Sequence, residues 1–310
     1  MSQTYECLLG DKPLYIEPGR FAGQAHGAVT VRYGDTMVLV TACMAPETRP
    51  DIDFVPLTID YEERLYAAGK IPGGFIRREG RPSQDAILTC RLTDRPLRPL
   101  FPKGFGNEVQ IIATVMSADQ ENPPDILVLI GASAALTISQ IPFEGPVGAV
   151  RIGCLDGKMI INPTFSQLSQ CNVDVVVAST ANALVMLESE CKEVSEELLM
   201  EAIKRGHEVN QQVIKLLEEI RQAVGKPKVV FTPLDNSEQE NEVSNFLKDK
   251  LTNELLTAPR NEREPVLKEL KSGVKKAFEE KYSSLSIENA YETVLKKAFR
   301  SLILDAKVRP

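Results

Sequence analysis

The chain has 310 residues, of which 43% are hydrophobic and 25% charged, and its formal net charge is −7 at pH 7. This composition indicates a folded globular protein with two or three compact units and excludes disorder as its main state. No run of about 18 apolar residues occurs, and the N-terminus carries acids and a proline where a signal peptide needs an apolar stretch. We therefore expect a cytoplasmic protein.

Strand patterns dominate the first 225 residues. Two apolar runs around Gly34 and Asp35 predict a β-hairpin. Runs rich in β-branched residues predict further strands at residues 54–62, 108–118, 147–153, 158–163, 173–179 and 183–189. Helices lie between and after them, so the sequence predicts an α+β body with two similar lobes that divide near residue 145.

Three helices are predicted within this body. Ser83 is a predicted N-cap for a helix over residues 84–98, and Asp125 is a predicted N-cap for a second helix. The second helix carries small residues at 131–135, which suit close packing against a sheet. An apolar stripe predicts a long amphipathic helix over residues 196–223.

Beyond residue 235 the strand patterns vanish and an all-helical unit is predicted. Its three amphipathic helices are expected at residues 237–256, 265–282 and 286–304, with Pro265 near one helix start and Ser286 as a cap. Composition alone favours a packing or spacer role for this unit. The predicted domains are residues 1–145, 146–227 and 236–310.

The charge distribution is uneven. A net charge of −7 argues against a general nucleic-acid binder, but residues 64–103 hold nine basic and three acidic residues. Such a basic island in an acidic chain is typical of a confined polyanion site, although a solvated basic face has the same pattern.

The segment at residues 71–83, with the sequence IPGGFIRREGRPS, stands out within the basic island. Its glycines and flanking prolines predict a protruding loop with stiff ends. Arginine forks bind phosphate oxygens and an aromatic ring can stack on a base, so Phe75, Arg77, Arg78 and Arg81 are candidate contacts for single-stranded nucleic acid. The alternative is that Phe75 and Ile76 are buried and the arginines form salt bridges.

A second arginine group lies on the helix that follows. Arg91, Arg95 and Arg98 are spaced four and three residues apart, which places them on one helix face. These side chains could line a phosphate track. Arg95 and Arg98 could equally tie the helix end to the sheet.

Several long motifs carry a family resemblance. LTIDYEERLYAAGKIPGGFIRREGRPS, RLTDRPLRPLFPKGF, PDILVLIGASAAL and IPFEGPVGAVRIG resemble the first core of the polynucleotide phosphorylase family. The resemblance runs through essentially the whole chain and implies an RNase PH-like core (ribosomal S5 domain 2-like) followed by the helical domain. Because the chain ends at LILDAKVRP, it is expected to be the N-terminal part of a longer protein.

The resemblance also implies roles for individual residues. The segment from Phe75 to Arg78 resembles the family's Phe-Phe-Arg-Arg loop, which grips RNA at a pore entrance. Ile76 replaces the second phenylalanine and is itself an expected RNA contact, so weaker base stacking is expected while phosphate contact is kept.

The comparison with active RNase PH-type cores predicts that this core does not catalyse. Active cores have a serine-rich, phosphate-holding turn where this chain has the sequence NPPD at residues 122–125. Active cores also carry clustered aspartates and a lysine, where this chain has Asp174 and Val176. We therefore expect no catalytic or metal-binding residue here, with Asp174 as a weak remnant.

The implied whole enzyme shortens RNA from its 3′ end with inorganic phosphate and Mg²⁺, whose sites are expected in an absent second core. Single-stranded RNA, a homotrimer around a central pore, and a helicase or an endonuclease are the implied partners. Two other hypotheses stay open. One is a non-catalytic RNA-binding and oligomerisation module, and the other is a weak metal-dependent activity at Asp174.

Overall fold

The computed structural model describes residues 3–48, 52, 54–75, 77–232, 236–305 and 307–308. By its internal contacts the chain divides into two compact units. One is built from residues 1–49 and 54–231, and the other mainly from residues 232–310. The predicted RNA contact at Ile76 lies outside the described residues.

The first unit begins with a six-stranded sheet in the order β1-β2-β3-β4-β6-β5. Its strands are β1 (Tyr5–Leu9), β2 (Lys12–Pro18), β3 (Gly27–Tyr33), β4 (Thr36–Thr48), β5 (Leu57–Glu63) and β6 (Asn107–Ser117). All neighbours are antiparallel except β5 and β6. The predicted hairpin is confirmed, because Tyr33 pairs with Thr36 across a turn in which Gly34 has a φ of +61°. Strands β1 and β2 were not predicted.

Two helices accompany this sheet, α1 (Gln84–Leu97) and α2 (Asp125–Ile138). The predicted N-cap of α1 is confirmed, because the Ser83 side chain accepts a hydrogen bond from the backbone N–H of Ala86 at 3.0 Å. The predicted N-cap of α2 is wrong. Pro124 occupies that position in a helical conformation, and Asp125 is the first residue of the helix.

Helix α2 is buried along its whole length after Asp125 and packs on β3 and β4. A side chain at Gly131 would place its Cβ 2.6 Å from a methyl carbon of Val40. The small residues predicted from the sequence are therefore needed for the close approach of helix and sheet.

The second lobe holds a four-stranded antiparallel sheet in the order β10-β9-β7-β8. Its elements are β7 (Gly148–Leu155), β8 (Lys158–Ile161), the short helix α3 (Phe165–Leu168), β9 (Val173–Ser179), β10 (Leu184–Cys191) and α4 (Glu196–Val224). Helix α4 packs on β7 and β9 through the face predicted from its apolar stripe. The two sheets and their helices confirm the predicted α+β class.

In the described residues of the second unit, every secondary-structure element is a helix. Four helices are present, α5 (Ser237–Leu247), α6 (Asn253–Thr257), α7 (Arg260–Phe278) and α8 (Ser284–Asp305), and three of them share a small apolar core. The prediction of three helices is wrong because Thr252 caps a new helix by accepting the N–H of Leu255. Pro265 and Ser286 lie inside helices rather than at their starts. None of the described helices is long and apolar enough to span a membrane.

Candidate nucleic-acid interface

The glycine- and arginine-rich segment forms an exposed loop between β5 and α1. A 3-10 turn (Leu65–Ala68) ends at Gly69, whose φ of 68° favours glycine, and the loop continues to Ser83. Every described loop residue is exposed except Pro72, which is half-buried. Phe75 is fully exposed, at 105% of its reference area. The burial alternative therefore does not account for this aromatic side chain.

The loop arginines have no acidic partner in the part of the chain that the structure describes. Among the described residues, Arg77, Arg78 and Arg81 make no ion pair, although several other arginines of the chain do. The backbone N–H of Arg77 donates to the carbonyl of Gly74 at 2.9 Å, and Arg77 has a φ of +51°. Arg77 ends this tight turn. The exposed guanidinium groups of Arg77, Arg78 and Arg81 have no carboxylate among the described residues to release before they bind an anion.

The three arginines of α1 differ in their surroundings. Arg91 is exposed and without an ion pair among the described residues. Arg95 is bound to Glu188 of β10 at 2.6 Å. Arg98 donates to Asp94 and to the carbonyls of Val55 and Leu57, the second of which begins β5. Arg98 thus ties the helix end to the sheet, while Arg91 stays available to a ligand.

A separate cleft of about 730 Å³ lies between α1, the start of α2, and strands β5, β7, β9 and β10. Its volume is that of an ordinary small-molecule site. Its lining is strongly acidic, with carboxylates from Glu63, Asp85, Asp125, Asp174, Glu188 and Glu190. Since a phosphate group is an anion, charge rather than size opposes its entry.

One arginine holds two of the cleft carboxylates. Arg151 on β7 donates from Nη1 to Asp174 Oδ2 at 2.8 Å and from Nη2 to Asp125 Oδ2. The three side chains are between 16% and 28% exposed. Asp125 also accepts the N–H of Ile126 at 2.8 Å, so the chain's own carboxylate lies at the N-terminus of α2. An anion from solution would compete with it there.

The Asp174 carboxyl group is partly buried in the cleft and forms an ion pair with Arg151. Burial raises its pKa, although the Arg151 guanidinium acts in the opposite direction. Val176, two residues along β9, lines the same cleft and brings no charge. No group of three or more acidic, histidine or cysteine side chains within the described part of the chain could hold a metal ion.

The turn before α2 is stabilised by its own side chains. Asp119 accepts the backbone N–H groups of Asn122 and Glu121 at 2.8 and 2.9 Å and the Thr36 hydroxyl at 3.0 Å. Although burial opposes the change, these hydrogen bonds lower the pKa of Asp119 to about 2. The N–H groups of Glu121 and Asn122 and the Thr36 hydroxyl are therefore already used within the protein.

Sequence reasoning missed Arg151. The signal available was a single cation inside the otherwise apolar strand at residues 147–153. A buried cation needs a carboxylate partner, but which carboxylates approach it depends on how β7, β9 and α2 come together.

Known protein families and related proteins match nearly the whole chain. Residues 10–142 and 145–209 match domains 1 and 2 of the 3′ exoribonuclease family, and residues 238–310 match the RNA binding domain of polyribonucleotide nucleotidyltransferase. Polyribonucleotide nucleotidyltransferases from Dehalococcoides mccartyi and Heliobacterium modesticaldum are each 49% identical to the chain over 99% of its length. The chain belongs to the polyribonucleotide nucleotidyltransferase family.

Membership of this family confirms the resemblance found in the sequence motifs. The Thermomicrobium roseum polyribonucleotide nucleotidyltransferase is 56% identical over 77% of the chain. The chain spans 43% and 44% of the length of the D. mccartyi and H. modesticaldum relatives.

The fold of the chain is similar to that of a solved structure. The crystal structure of rice (Oryza sativa) Rrp46 matches with a TM-score of 0.57 and 17% identity, covering 69% of this chain and 96% of the rice chain. At this identity the likeness concerns the fold alone, and it supports the predicted RNase PH-like core.

Proposed function

We propose that this chain binds and guides RNA within a phosphorolytic 3′-to-5′ exoribonuclease, while a second RNase PH core outside this chain performs the reaction. In that reaction an oxygen of inorganic phosphate attacks the 3′-terminal phosphodiester. A new P–O bond forms as the bond to the 3′ oxygen of the preceding nucleotide breaks. The products are a nucleoside diphosphate and an RNA shorter by one nucleotide.

One observation carries the proposal, the contrast between the loop and the cleft. The loop carries the exposed ring of Phe75 and three arginines, Arg77, Arg78 and Arg81, that have no acidic partner among the described residues. Guanidinium groups bind backbone phosphates and an exposed ring stacks on a base regardless of its identity. These properties suit sequence-independent binding of single-stranded RNA.

The neighbouring helix extends this grip. Arg91 is the one α1 arginine that is both exposed and unpaired among the described residues, so we include it with the loop. We give Arg95 a smaller share, since its pair with Glu188 is exposed and exchangeable. Arg98 makes its hydrogen bonds inside the protein and is assigned a supporting role.

The cleft residues do not fit phosphate or Mg²⁺. Arg151 is shared between Asp125 and Asp174, and prolines at 123 and 124 bring no backbone N–H to an anion at the start of α2. A cation near both carboxylates would be repelled by the Arg151 guanidinium that lies between them. We accordingly assign both the phosphate and the Mg²⁺ of the reaction to the second core.

The proposal extends to the surroundings of the enzyme. We propose a cytoplasmic homotrimer in which the loops of three copies surround a central pore. An RNA helicase and an endonuclease are the proposed degradation partners. The helical unit is proposed to add RNA contacts, because residues 238–310 match an RNA binding domain.

The test uses this chain with a 5′-labelled single-stranded RNA, inorganic phosphate and Mg²⁺. Filter binding should show RNA bound, and gel analysis should show no phosphate-dependent shortening, with a full-length family enzyme as the positive control. Shortening at a rate like that of the control would overturn the division of labour. Absence of RNA binding would overturn the guiding role.

The same assay tests the remaining hypothesis, a weak metal-dependent activity at Asp174. The fragment could show slow, metal-dependent shortening of RNA. If Asp174 is responsible for that activity, Asp174→Asn should abolish it. The contact of Asp174 Oδ2 with Arg151 argues against this outcome, because the guanidinium charge beside the carboxylate would repel a metal ion. An RNA-binding module without any enzyme role would give binding in this assay but no stimulation of a separately supplied second core.

A further inference from the structure

Among the described residues from 71 to 82, one side chain contacts the body of the unit. Glu79 Oε2 lies 3.9 Å from Arg64 Nη1, just after β5. Among the described residues between 71 and 82, no other side chain makes a hydrogen bond, an ion pair or a ring contact. The loop's one further hydrogen bond is internal, from the Arg77 N–H to the Gly74 carbonyl.

Arg64 is itself well anchored. Its second guanidinium nitrogen is bound to Glu62 on β5. Its carbonyl accepts the N–H of Ala67 at 2.9 Å, and the carbonyl of Ala67 accepts the N–H of Ala118, just after β6, at 3.0 Å. Arg64 thus stands on the sheet, and Glu79 links the far side of the loop to that support.

Glu79 is also the only acidic residue between Lys70 and Ser83. If it only contributed its charge, it would repel RNA phosphates and weaken the grip of its neighbours Arg77 and Arg78. A carboxylate directly after the candidate phosphate contacts Arg77 and Arg78 therefore calls for another role.

We propose that Glu79 is a positioning residue, which through Arg64 restrains the loop in a conformation that presents Arg77 and Arg78 together. The inference rests on the proposed RNA-guiding function. A restrained loop loses less conformational entropy when RNA binds than a free loop does. The link therefore raises the affinity for RNA, although the negative charge of Glu79 repels phosphate groups.

This role makes a prediction opposite to simple electrostatics. Glu79→Gln removes a negative charge at nearly constant volume, and charge alone would tighten RNA binding. Loss of the link should instead weaken binding by about three- to fivefold, which is the size of an exposed ion pair. The measurement is the dissociation constant for a short single-stranded RNA at low salt.

Asp85→Asn is the matched control. Asp85 is the exposed acidic residue in the first turn of α1, within the same basic island, and it makes no ion pair among the described residues. Its replacement should leave RNA affinity unchanged or slightly raise it. Equal behaviour of both variants would overturn the positioning role of Glu79.

A second measurement reports on the loop without RNA. Trypsin cleaves after Arg77 and Arg78, and Arg64→Gln breaks the link without altering the sequence around those bonds. Cleavage should accelerate by about three- to fivefold in this variant, while the melting temperature should stay close to that of the unchanged chain. An unchanged cleavage rate would show that Glu79 does not restrain the loop.

Failure of the proposed RNA-guiding function can be distinguished from failure of the positioning role of Glu79. If replacing both Arg77 and Arg78 with alanine leaves RNA binding intact, the proposed function itself is wrong. If that double variant loses affinity while Glu79→Gln gains it, RNA guidance stands and the positioning role falls.

Discussion

The loop at residues 69–83 and the cleft around Arg151 contain the same kinds of charged side chain in opposite arrangements. In the loop, three arginines are exposed and have no acidic partner among the described residues. In the cleft, one arginine is largely buried between Asp125 and Asp174, and further carboxylates surround it. The comparison shows that the pairing and burial of arginines, rather than their number, decide where a polyanion can bind.

The largest expected effect comes from breaking the cleft's ion pairs. Arg151→Ala leaves Asp125 and Asp174 close together and partly buried without a counter-charge, so it should lower the free energy of unfolding by about 2–3 kcal/mol. Urea unfolding followed by circular dichroism measures this change. Arg205→Ala, which removes an exposed partner of Glu208, is the control and should cost less than about 0.5 kcal/mol. Equal costs would show that the cleft pairs contribute no more than surface pairs.

The next effect concerns the loop. The double variant Arg77→Ala with Arg78→Ala should weaken single-stranded RNA binding about tenfold at low salt. It should also reduce the slope of log affinity against log salt by about 1.4, since two phosphate contacts are lost. Replacing Lys204 and Arg205, two adjacent exposed cations of α4, is the matched control. If both double variants change the slope equally, the loop has no special part in binding.

A smaller effect is expected from the exposed ring. Phe75→Ala should weaken RNA binding about fivefold, because one stacked base is lost, and should leave the salt slope unchanged. Phe75→Tyr keeps a ring and should retain most of the affinity. A changed salt slope in the alanine variant, or full affinity without a ring, would contradict stacking on Phe75.

The smallest effect concerns the pH dependence of the cleft. Burial raises the pKa of Asp174. A carboxyl group with a raised folded-state pKa stabilises the fold most when protonated, and this contribution fades as pH rises above its unfolded-state value. Asp174→Asn mimics the protonated group, so the stability of wild type relative to this variant should fall as pH rises from about 4 toward neutral.

Urea unfolding of both proteins across this pH range measures the difference. Asp156→Asn in the exposed turn between β7 and β8 is the control and should show little pH dependence. A difference that grows with pH would mean that attraction by Arg151 outweighs the burial of Asp174.

Much of the local structure followed from residue patterns. Ser83 caps α1 as expected, and the small residues around Gly131 lie against β4 because a larger side chain would collide with Val40. The start of α2 did not follow, because Asp125 has the chemistry of a cap but Pro124 already adopts the helical conformation. The break between α5 and α6 was missed for a similar reason. Residues 237–256 were predicted as one helix, but Thr252 caps a new helix by accepting the N–H of Leu255.

By itself, the sequence determined the family, the α+β class and the presence of an exposed arginine-rich loop. These depend on patterns that are local along the chain, such as β-branched runs, glycine placement and long motifs. Only the tertiary structure decided which charges are free. Arg98, Arg95 and Arg151 find carbonyl or carboxylate partners that are 23 or more residues away in the sequence, whereas Arg77 and Arg78 find no acidic partner among the described residues. Such pairings follow from the packing of sheets and helices, which no local pattern encodes.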